Sequence, residues 1–387
     1  MNKMNILCPH FPACSGCSVN TDVANINAFQ ESKKFFDGLG MSDFKLHTGK
    51  ACGWRCRAKL AIRGTKEEPL IGLYKAGTHH VIDIPSCRVH HPLINQVAEH
   101  LRAWIKKCGI VPYDEKTGKG VLRYVELAVD RKNERVQLVL VLNQRQDEAL
   151  SLVDQSAAIK SLWDDHPGFW HSLWLNFNKR RDNIILGNLW KHLYGEEWLW
   201  DRYCGREVCF HPASFAQANP EMFERLLLEL QKHVPQGTNI VEFYAGGGVI
   251  GLTLVEKCKS LCCNEIVPLA ERCFDESVKR LLQEFKNKLT YICGPAERQT
   301  ELLNSPIDVV IVDPPRKGID EALLNSLCTV STVKRLIYVS CGWKSFESDC
   351  EKLLESNWKL TFVESFLFFP GSDHLEILAV FDKQAWV

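Results

Sequence analysis

The sequence predicts an α/β protein: a doubly wound, mostly parallel sheet with one antiparallel closing strand, preceded by a mixed α+β domain. Three observations predict it. From about residue 205, short apolar runs alternate with helical spans, the texture of a parallel sheet. The first of these runs ends in a turn with three adjacent glycines, Gly246 to Gly248. The last two runs, Lys359 to Phe368 and Leu375 to Phe381, are joined by a connection too short for a parallel crossover. A chain of 387 residues, 45% of them hydrophobic, supports two cores. The boundary is placed near residue 200, giving domains 1–200 and 201–387.

Taken in order, Lys59 to Ile62 and Leu70 to Tyr74 read as a hairpin, and Val121 to Leu127 with Val136 to Leu142 as a second pair across the charged turn Asp130 to Glu134. Trp170 to Phe177 and Ile184 to Leu186 are further strand candidates. Ile240 to Tyr244 is an apolar strand, followed by the glycine turn and a helix through Lys257. Leu261 to Ile266 is the next strand, followed by a helix over Pro268 to Phe285. Thr290 to Cys293, Asp308 to Val312 and Arg335 to Val339 complete the parallel set.

Net charge is zero but uneven. Residues 1–200 hold 27 Lys and Arg against 21 Asp and Glu, and the remainder holds 20 against 26. The split points an N-terminal half toward a polyanion and a C-terminal half toward a small ligand. No apolar run reaches membrane-spanning length and the N-terminus has no apolar signal core. Seventeen cysteines, an odd number without the layout of a secreted disulfide scaffold, place the chain in a reducing, cytoplasmic compartment. Scattered cysteines such as Cys258 and Cys328 read as small buried apolar residues. No obligate protein partner is evident.

The segment Tyr244-Ala245-Gly246-Gly247-Gly248-Val249-Ile250-Gly251 satisfies G-x-G-x-x-G. Such glycines let the backbone approach a ligand in front of a helix N-terminus. Glu265, ending the next strand, is placed for ribose hydroxyls. The pattern suits a dinucleotide, as in a nicotinamide-dependent oxidoreductase, or the S-adenosylmethionine loop of a class I methyltransferase. Asp313-Pro314-Pro315 after a later strand favours the methyltransferase, since a dehydrogenase has no evident need for it.

Cys341 ends Leu336-Ile337-Tyr338-Val339-Ser340-Cys341, and Glu376 sits in Phe369-Pro370-Gly371-Ser372-Asp373-His374-Leu375-Glu376. A strand-end thiol and a late carboxylate make a nucleophile-plus-base set. Uracil C5 is a poor nucleophile until a thiolate adds at C6, and a base must then remove the C5 proton. Cys341 and Glu376 fit those roles, with Asp313 beside the sulfonium or the base.

With these motifs the chain resembles the RNA uracil-C5 methyltransferase family over nearly its whole length. Asp313 to Gly318 with Tyr338 to Cys341 is similar to the family's nucleophile signature, and Phe369 to Glu376 to the signature carrying the general base. Ser214-Phe215-Ala216-Gln217-Ala218-Asn219 resembles its Ser-Phe-Phe-Gln-x-Asn stretch. The resemblance implies that Gln217, Tyr244, Glu265 and Asp313 contact S-adenosyl-L-methionine. Departures are Gly342 and Trp343 where the family has Asn and Pro, Ala245 in place of Cys, Pro295 in place of an acid, and Glu242 in place of Asp.

Cys8, Cys14 and Cys17, with Cys87, provide four soft ligands for zinc or an iron–sulfur cluster. The resemblance implies a [4Fe–4S] cluster, because the family's ribosomal-RNA members carry one on this spacing. It also implies 23S ribosomal RNA as the substrate, since no small β-barrel module precedes the cysteines and the transfer-RNA enzymes generally lack the cluster. Arg55, Arg57 and Lys59 fall on one strand face and are expected to grip RNA phosphates, with Trp54 or Tyr74 stacking on a base. Lys179-Arg180-Arg181 reads as a charged turn. A competing reading is an RNA-binding protein with a decayed active site, motivated by Gly342 and Pro295.

Overall fold

The structure is a computed structural model describing residues 4–145 and 153–383. Its strands are β1 (Leu46–His47), β2 (Arg57–Gly64), β3 (Pro69–Tyr74), β4 (Val81–Asp83), β5 (Leu122–Asp130), β6 (Arg135–Leu142), β7 (Trp170–Phe177), β8 (Leu189–Gly195), β9 (Leu199–Tyr203) and β10 (Arg206–Phe210). The second half adds β11 (Thr238–Phe243), β12 (Cys258–Glu265), β13 (Leu289–Cys293), β14 (Val309–Val312), β15 (Arg335–Ser340), β16 (Trp358–Phe366) and β17 (Glu376–Lys383).

Eight strands form one sheet in the order β1-β16-β17-β15-β14-β11-β12-β13. β11 to β15 pair parallel with one another, and β17 is antiparallel to both β15 and β16. Alternate side chains enter different cores. Val241, Phe243, Val310, Val312, Leu336 and Tyr338 pack on one face, and Ile240, Val309, Ile311, Ile337 and Val339 on the other. Helices cover both faces, so these strands carry unbroken apolar runs instead of an alternating pattern. This is the class I methyltransferase fold with its antiparallel closing strand.

A seven-stranded sheet, β4-β3-β2-β5-β6-β7-β8, forms from the N-terminal half. The helix Pro92–Cys108 buries Ile94, Val97, Leu101 and Ile105 against it. His91 caps that helix by accepting from Leu93 N, and Gly109 ends it at φ 63°, the left-handed position where a side chain would be strained. The hairpin β9–β10 packs Val208 and Phe210 onto the large sheet.

The structure departs from the sequence expectations in three places. Ile184 to Leu186 forms no strand. Asn178 Nδ2 donates to the carbonyls of Ile184 and Ile185 at 2.7 and 3.0 Å, and Asn176 Nδ2 to Gly187 O at 2.9 Å, so amide side chains replace a partner strand. The helix expected to run to Phe285 stops at Lys279, and a single turn, Gln283–Lys286, follows. Leu282 between them is extended, with ψ 149°, which turns the chain back toward β13. Finally, residues 26–47 join the C-terminal core although they lie far before residue 200. Phe36 packs within 5.8 and 6.0 Å of the Trp343 and Phe346 rings, and β1 extends the large sheet beside β16. Among the described residues, no helix is long and apolar enough to cross a membrane.

Glu242 is fully buried in β11. Its Oε2 accepts from Gly251 N at 2.8 Å and from the Cys263 thiol at 3.5 Å, while Oε1 has no partner. Burial pushes its carboxyl from 4.5 to about 8, so the native state holds this proton more tightly than the unfolded chain. Its stabilising contribution is complete below pH 4.5 and is lost as pH climbs toward 8, at about 1.4 kcal/mol per unit. Glu242→Gln keeps a neutral hydrogen-bonding group of the same size and is expected to shrink that fall in melting temperature. An unchanged fall in the variant would mean that Glu242 ionises as readily folded as unfolded.

Candidate active site

The site lies at the carboxyl ends of the large sheet's strands. Chain order reverses between β14 and β11, the switch point where open α/β sheets leave a crevice. Phe243 registers with Val312 on one side and Asn264 on the other. The next residue on each strand is therefore Asp313, Tyr244 and Glu265, a row of three side chains along one rim.

Tyr244 begins the glycine turn at φ 59°, and Gly246 and Gly248 follow at φ 54° and 72°. A Cβ on Gly248 would come within 2.4 Å of the Phe274 ring, and one on Gly251 within 2.6 Å of Glu242 Oε2. The helix can sit this close to the strand only with glycine there. Glu265 braces the turn: Oε2 accepts from Gly246 N and Oε1 from Val267 N, both at 3.0 Å. Each oxygen keeps a second lone pair for a ribose hydroxyl. Tyr244 Oη donates to Asp320 Oδ2 and accepts from Asp320 N, both at 3.0 Å. Its side chain thus ties the glycine turn to the loop after β14. Asp320 was not singled out from sequence, because its partner lies 76 positions away.

Gln217 is half-buried between anchored neighbours. Ala218 O accepts from Cys56 N at 2.8 Å. Asn219 caps the helix Pro220–Lys232 by accepting from Met222 N at 3.1 Å, and donates to Phe368 O at 2.9 Å. The Gln217 loop is therefore tied both to the N-terminal half and to the segment leading to Glu376.

Ser340 of β15 registers with Ile377 of β17. Cys341, one step on, and Glu376, one step back, therefore meet at the same end of an antiparallel pair. The Cys341 thiol donates to Pro314 O at 3.8 Å, which places it against the Asp-Pro-Pro segment. Burial, then the charges of Glu376 and Asp313, push the Cys341 thiol up to about 12, and Arg316 opposes them. Glu376 is buried, and burial followed by the Asp313 charge holds its carboxyl well above the ordinary range. Asp313 is pushed up to about 7 by burial and by Glu265. Four acids thus crowd one cleft, with Arg316 the cation facing Cys341 and Glu376.

Two departures from the family pattern have a structural counterpart. A Cβ at Gly342 would lie 2.6 Å from Arg316 O and 2.8 Å from Ser345 Oγ, so the Arg316 backbone occupies the space of a side chain there. Trp343 is buried under Phe35 and Phe36 of the N-terminal helix Asn27–Gly38.

Cys8, Cys14, Cys17 and Cys87 line one cavity of about 110 Å³, together with His10 and Arg55. Cys14 Sγ accepts from Gly16 N at 3.3 Å, and backbone N–H groups of His90 and Val89 point at Cys87. Donors aimed at sulfur suit thiolate ligands, so the four residues fit a metal cofactor. As placed, among the described residues, no group of three or more His, Cys, Asp or Glu is close enough to hold a metal ion, because the thiols stand around a cavity instead of a point.

The expected RNA grip is altered. Trp54 is only 5% exposed, enclosed by Arg55 and Phe369, and has no free face for a base. Arg57 lies over the Phe210 ring at 4.9 Å and Lys59 pairs with Glu126 at 3.4 Å. Tyr74 is hydrogen-bonded to Glu115 and, at 2.9 Å, to Tyr124. The alternation seen in the sequence is real, but folding supplies these side chains with internal partners.

A family model described as tRNA (Uracil-5-)-methyltransferase matches residues 297–384, the stretch that contains Asp313, Cys341 and Glu376. An RNA methyltransferase of Protochlamydia amoebophila, itself described as uncharacterized, is 40% identical over 384 residues, 99% of either chain. The chain belongs to the RNA uracil-5-methyltransferase family. It is accordingly an S-adenosylmethionine-dependent methyltransferase. An uncharacterized RNA methyltransferase of Caldanaerobacter subterraneus is 27% identical over 99% of this chain and 85% of that protein. In fold, this family member is similar to the solved tRNA (uracil-54, C5)-methyltransferase of Pyrococcus abyssi in complex with S-adenosyl-L-homocysteine. The TM-score is 0.75 over 96% of this chain and 86% of that chain, at 21% identity.

The methyl donor carries a positive sulfonium that its demethylated product lacks. In a cleft of crowded acids, that charge should lower the Cys341 thiol below about 12. Alkylation of the Cys341 peptide at mildly alkaline pH is expected to speed up with S-adenosylmethionine and not with S-adenosylhomocysteine. Equal rates with both ligands would show that the donor's charge is not seated beside Asp313.

Proposed function

We propose that the protein methylates C5 of a uridine in RNA, with 23S ribosomal RNA as the substrate, through a covalent bond between Cys341 and C6. The observation that carries this reading is the β15–β17 register, which brings a thiol and a buried carboxyl together beside the cofactor rim. Gln217, Tyr244, Glu265 and Asp313 hold S-adenosylmethionine, which when bound supplies an electrophilic methyl group. The Cys341 thiolate adds to C6, and the ring electrons move to the O4 enolate and make C5 nucleophilic. After C5 is methylated, Glu376 takes its proton, the C5–C6 double bond re-forms and the thiolate leaves. A carboxyl held above its ordinary range is a stronger base once ionised, which suits Glu376 to the slow proton. The target base must leave its stack to expose C6.

Cys8, Cys14, Cys17 and Cys87 hold a [4Fe–4S] cluster in this reading, supported by a cavity that all four thiols line. No step of the uracil chemistry passes through it. The N-terminal half, with its excess of Lys and Arg, faces the RNA. None of the 17 cysteines is joined in a disulfide, in keeping with a reducing cytoplasm.

RNA from cells lacking the protein is expected to lose a 5-methyluridine in 23S ribosomal RNA. Loss from transfer RNA instead would assign the tRNA substrate named for the Pyrococcus abyssi enzyme. Cys341→Ala should abolish turnover. Glu376→Gln should retain methyl transfer but accumulate a denaturation-stable protein–RNA adduct. Tight RNA binding without transfer to any cellular RNA would establish the decayed-site reading. Anaerobically purified protein should contain iron and sulfide, and stoichiometric zinc without iron would replace the cluster with a zinc site.

A further inference from the structure

The four-thiol cavity lies next to the segment that carries the base. Ser18 N and Val19 N both donate to Gly371 O, at 2.7 and 3.0 Å. Gly371 has φ 97°, and a Cβ there would fall 3.0 Å from Cys17 Sγ. Ser372 N closes a turn on Phe369 O at 3.0 Å, and Glu376 follows four residues later. On the other side of the cavity, Arg55 N donates to Val89 O at 2.9 Å, two residues past Cys87. Its guanidinium lies 5.0 Å from the Trp54 ring centroid and 5.9 Å from that of Phe369, and the two rings meet edge to face at 5.8 Å. The next residue, Cys56, holds the Gln217 loop through Ala218 O.

Arg55 differs from two other partly buried arginines of this half. Arg63 pairs with Glu115 and Arg131 with Asp201. Arg55 instead lines the cavity with Cys8, Cys14, Cys17 and Cys87, and its Nη1 donates only a long hydrogen bond to Arg57 O, at 3.5 Å. Four thiolates around an iron–sulfur cubane, or around zinc, leave a net negative charge for Arg55 to answer.

We propose that Arg55 is a positioning residue that joins the four-cysteine centre to the Phe369–Glu376 segment, so that filling the centre sets the base in place. This rests on the reading above, in which the thiols hold a metal cofactor and Glu376 is the base. With the centre filled, its charge holds the guanidinium, the guanidinium holds the Phe369 ring, and Cys17 to Val19 holds Gly371. The cofactor then governs methyl transfer without entering the chemistry, and its loss in oxidising or iron-poor conditions releases the base-bearing turn.

The test uses the full chain purified without oxygen, as wild type, Arg55→Gln and Arg55→Lys. Arg55→Gln is expected to weaken metal retention about 10- to 100-fold, the usual cost of removing an outer-shell partner. Its remaining cluster should have a lower midpoint potential, since the reduced form loses a stabilising cation. Amide exchange over residues 366–376 should speed up in Arg55→Gln, and likewise in wild type stripped with a chelator. kcat should fall while KM for RNA holds, and Arg55→Lys should recover metal retention. The proposal is overturned if Arg55→Gln keeps wild-type metal content, potential and exchange. It is equally overturned if chelation leaves exchange over 366–376 unchanged, or if the wild type binds neither iron nor zinc. Metal content and exchange are read without substrate, so they decide the proposal even if uridine methylation fails.

Discussion

The site depends on one strand pairing. β17 returns antiparallel between β15 and β16, with Ser340 opposite Ile377. In a ladder with a period of two, a slip by one residue turns every side chain to the other face. Such a slip would carry Glu376 away from the cleft and exchange the sets fitted to the two cores, Ile377, Ala379 and Phe381 on one face and Leu378 and Val380 on the other. The core therefore enforces the register, and the register delivers the carboxyl to the thiol. Packing and chemistry are secured by the same side-chain alternation.

Among the described residues, the cleft has more acid than the facing Arg316 can balance. Burial raises the cost of ionising Cys341, Asp313 and Glu376, and charge adds to it: Glu376 and Asp313 act on Cys341, Asp313 on Glu376, and Glu265 on Asp313. In such a site the Cys341 thiol stays protonated. The site also favours a cationic ligand, because a positive charge entering the cleft offsets the repulsion among its acids. The sulfonium of the methyl donor has that charge. Fully buried Glu242 lies behind the same rim, where Gly251 allows the helix after the glycine turn to approach its carboxyl.

The N-terminal half is tied into this site at several points. The helix Asn27–Gly38 covers Trp343, two residues after Cys341, and Ala28 N donates to Asp373 Oδ1 at 3.0 Å, three residues before Glu376. Cys56 N holds the Gln217 loop, and Ser18 and Val19 hold Gly371. The two sheets have separate cores, yet the loops that line the cleft are hydrogen-bonded to both. Short backbone contacts thus link the cavity lined by the four cysteines to the loops of the cleft.

Local chemistry was legible in the sequence wherever it is written in consecutive residues. The glycine turn, Asp313-Pro314-Pro315, the strand ending in Cys341 and the closing pair before and after Glu376 each announce themselves, because strand periodicity, backbone freedom at glycine and connection length are local properties. The spacing of Cys8, Cys14 and Cys17 belongs with them. Tertiary structure decided what depends on partners far along the chain. It enclosed Trp54 under Phe369, gave Lys59 to Glu126, and moved residues 26–47 into the core of the opposite half. It turned Glu265 and Tyr244 partly into braces for their own loop and set Asp320 beside Tyr244. These outcomes follow from which surfaces meet when both sheets are packed, and no window of neighbouring residues contains that information.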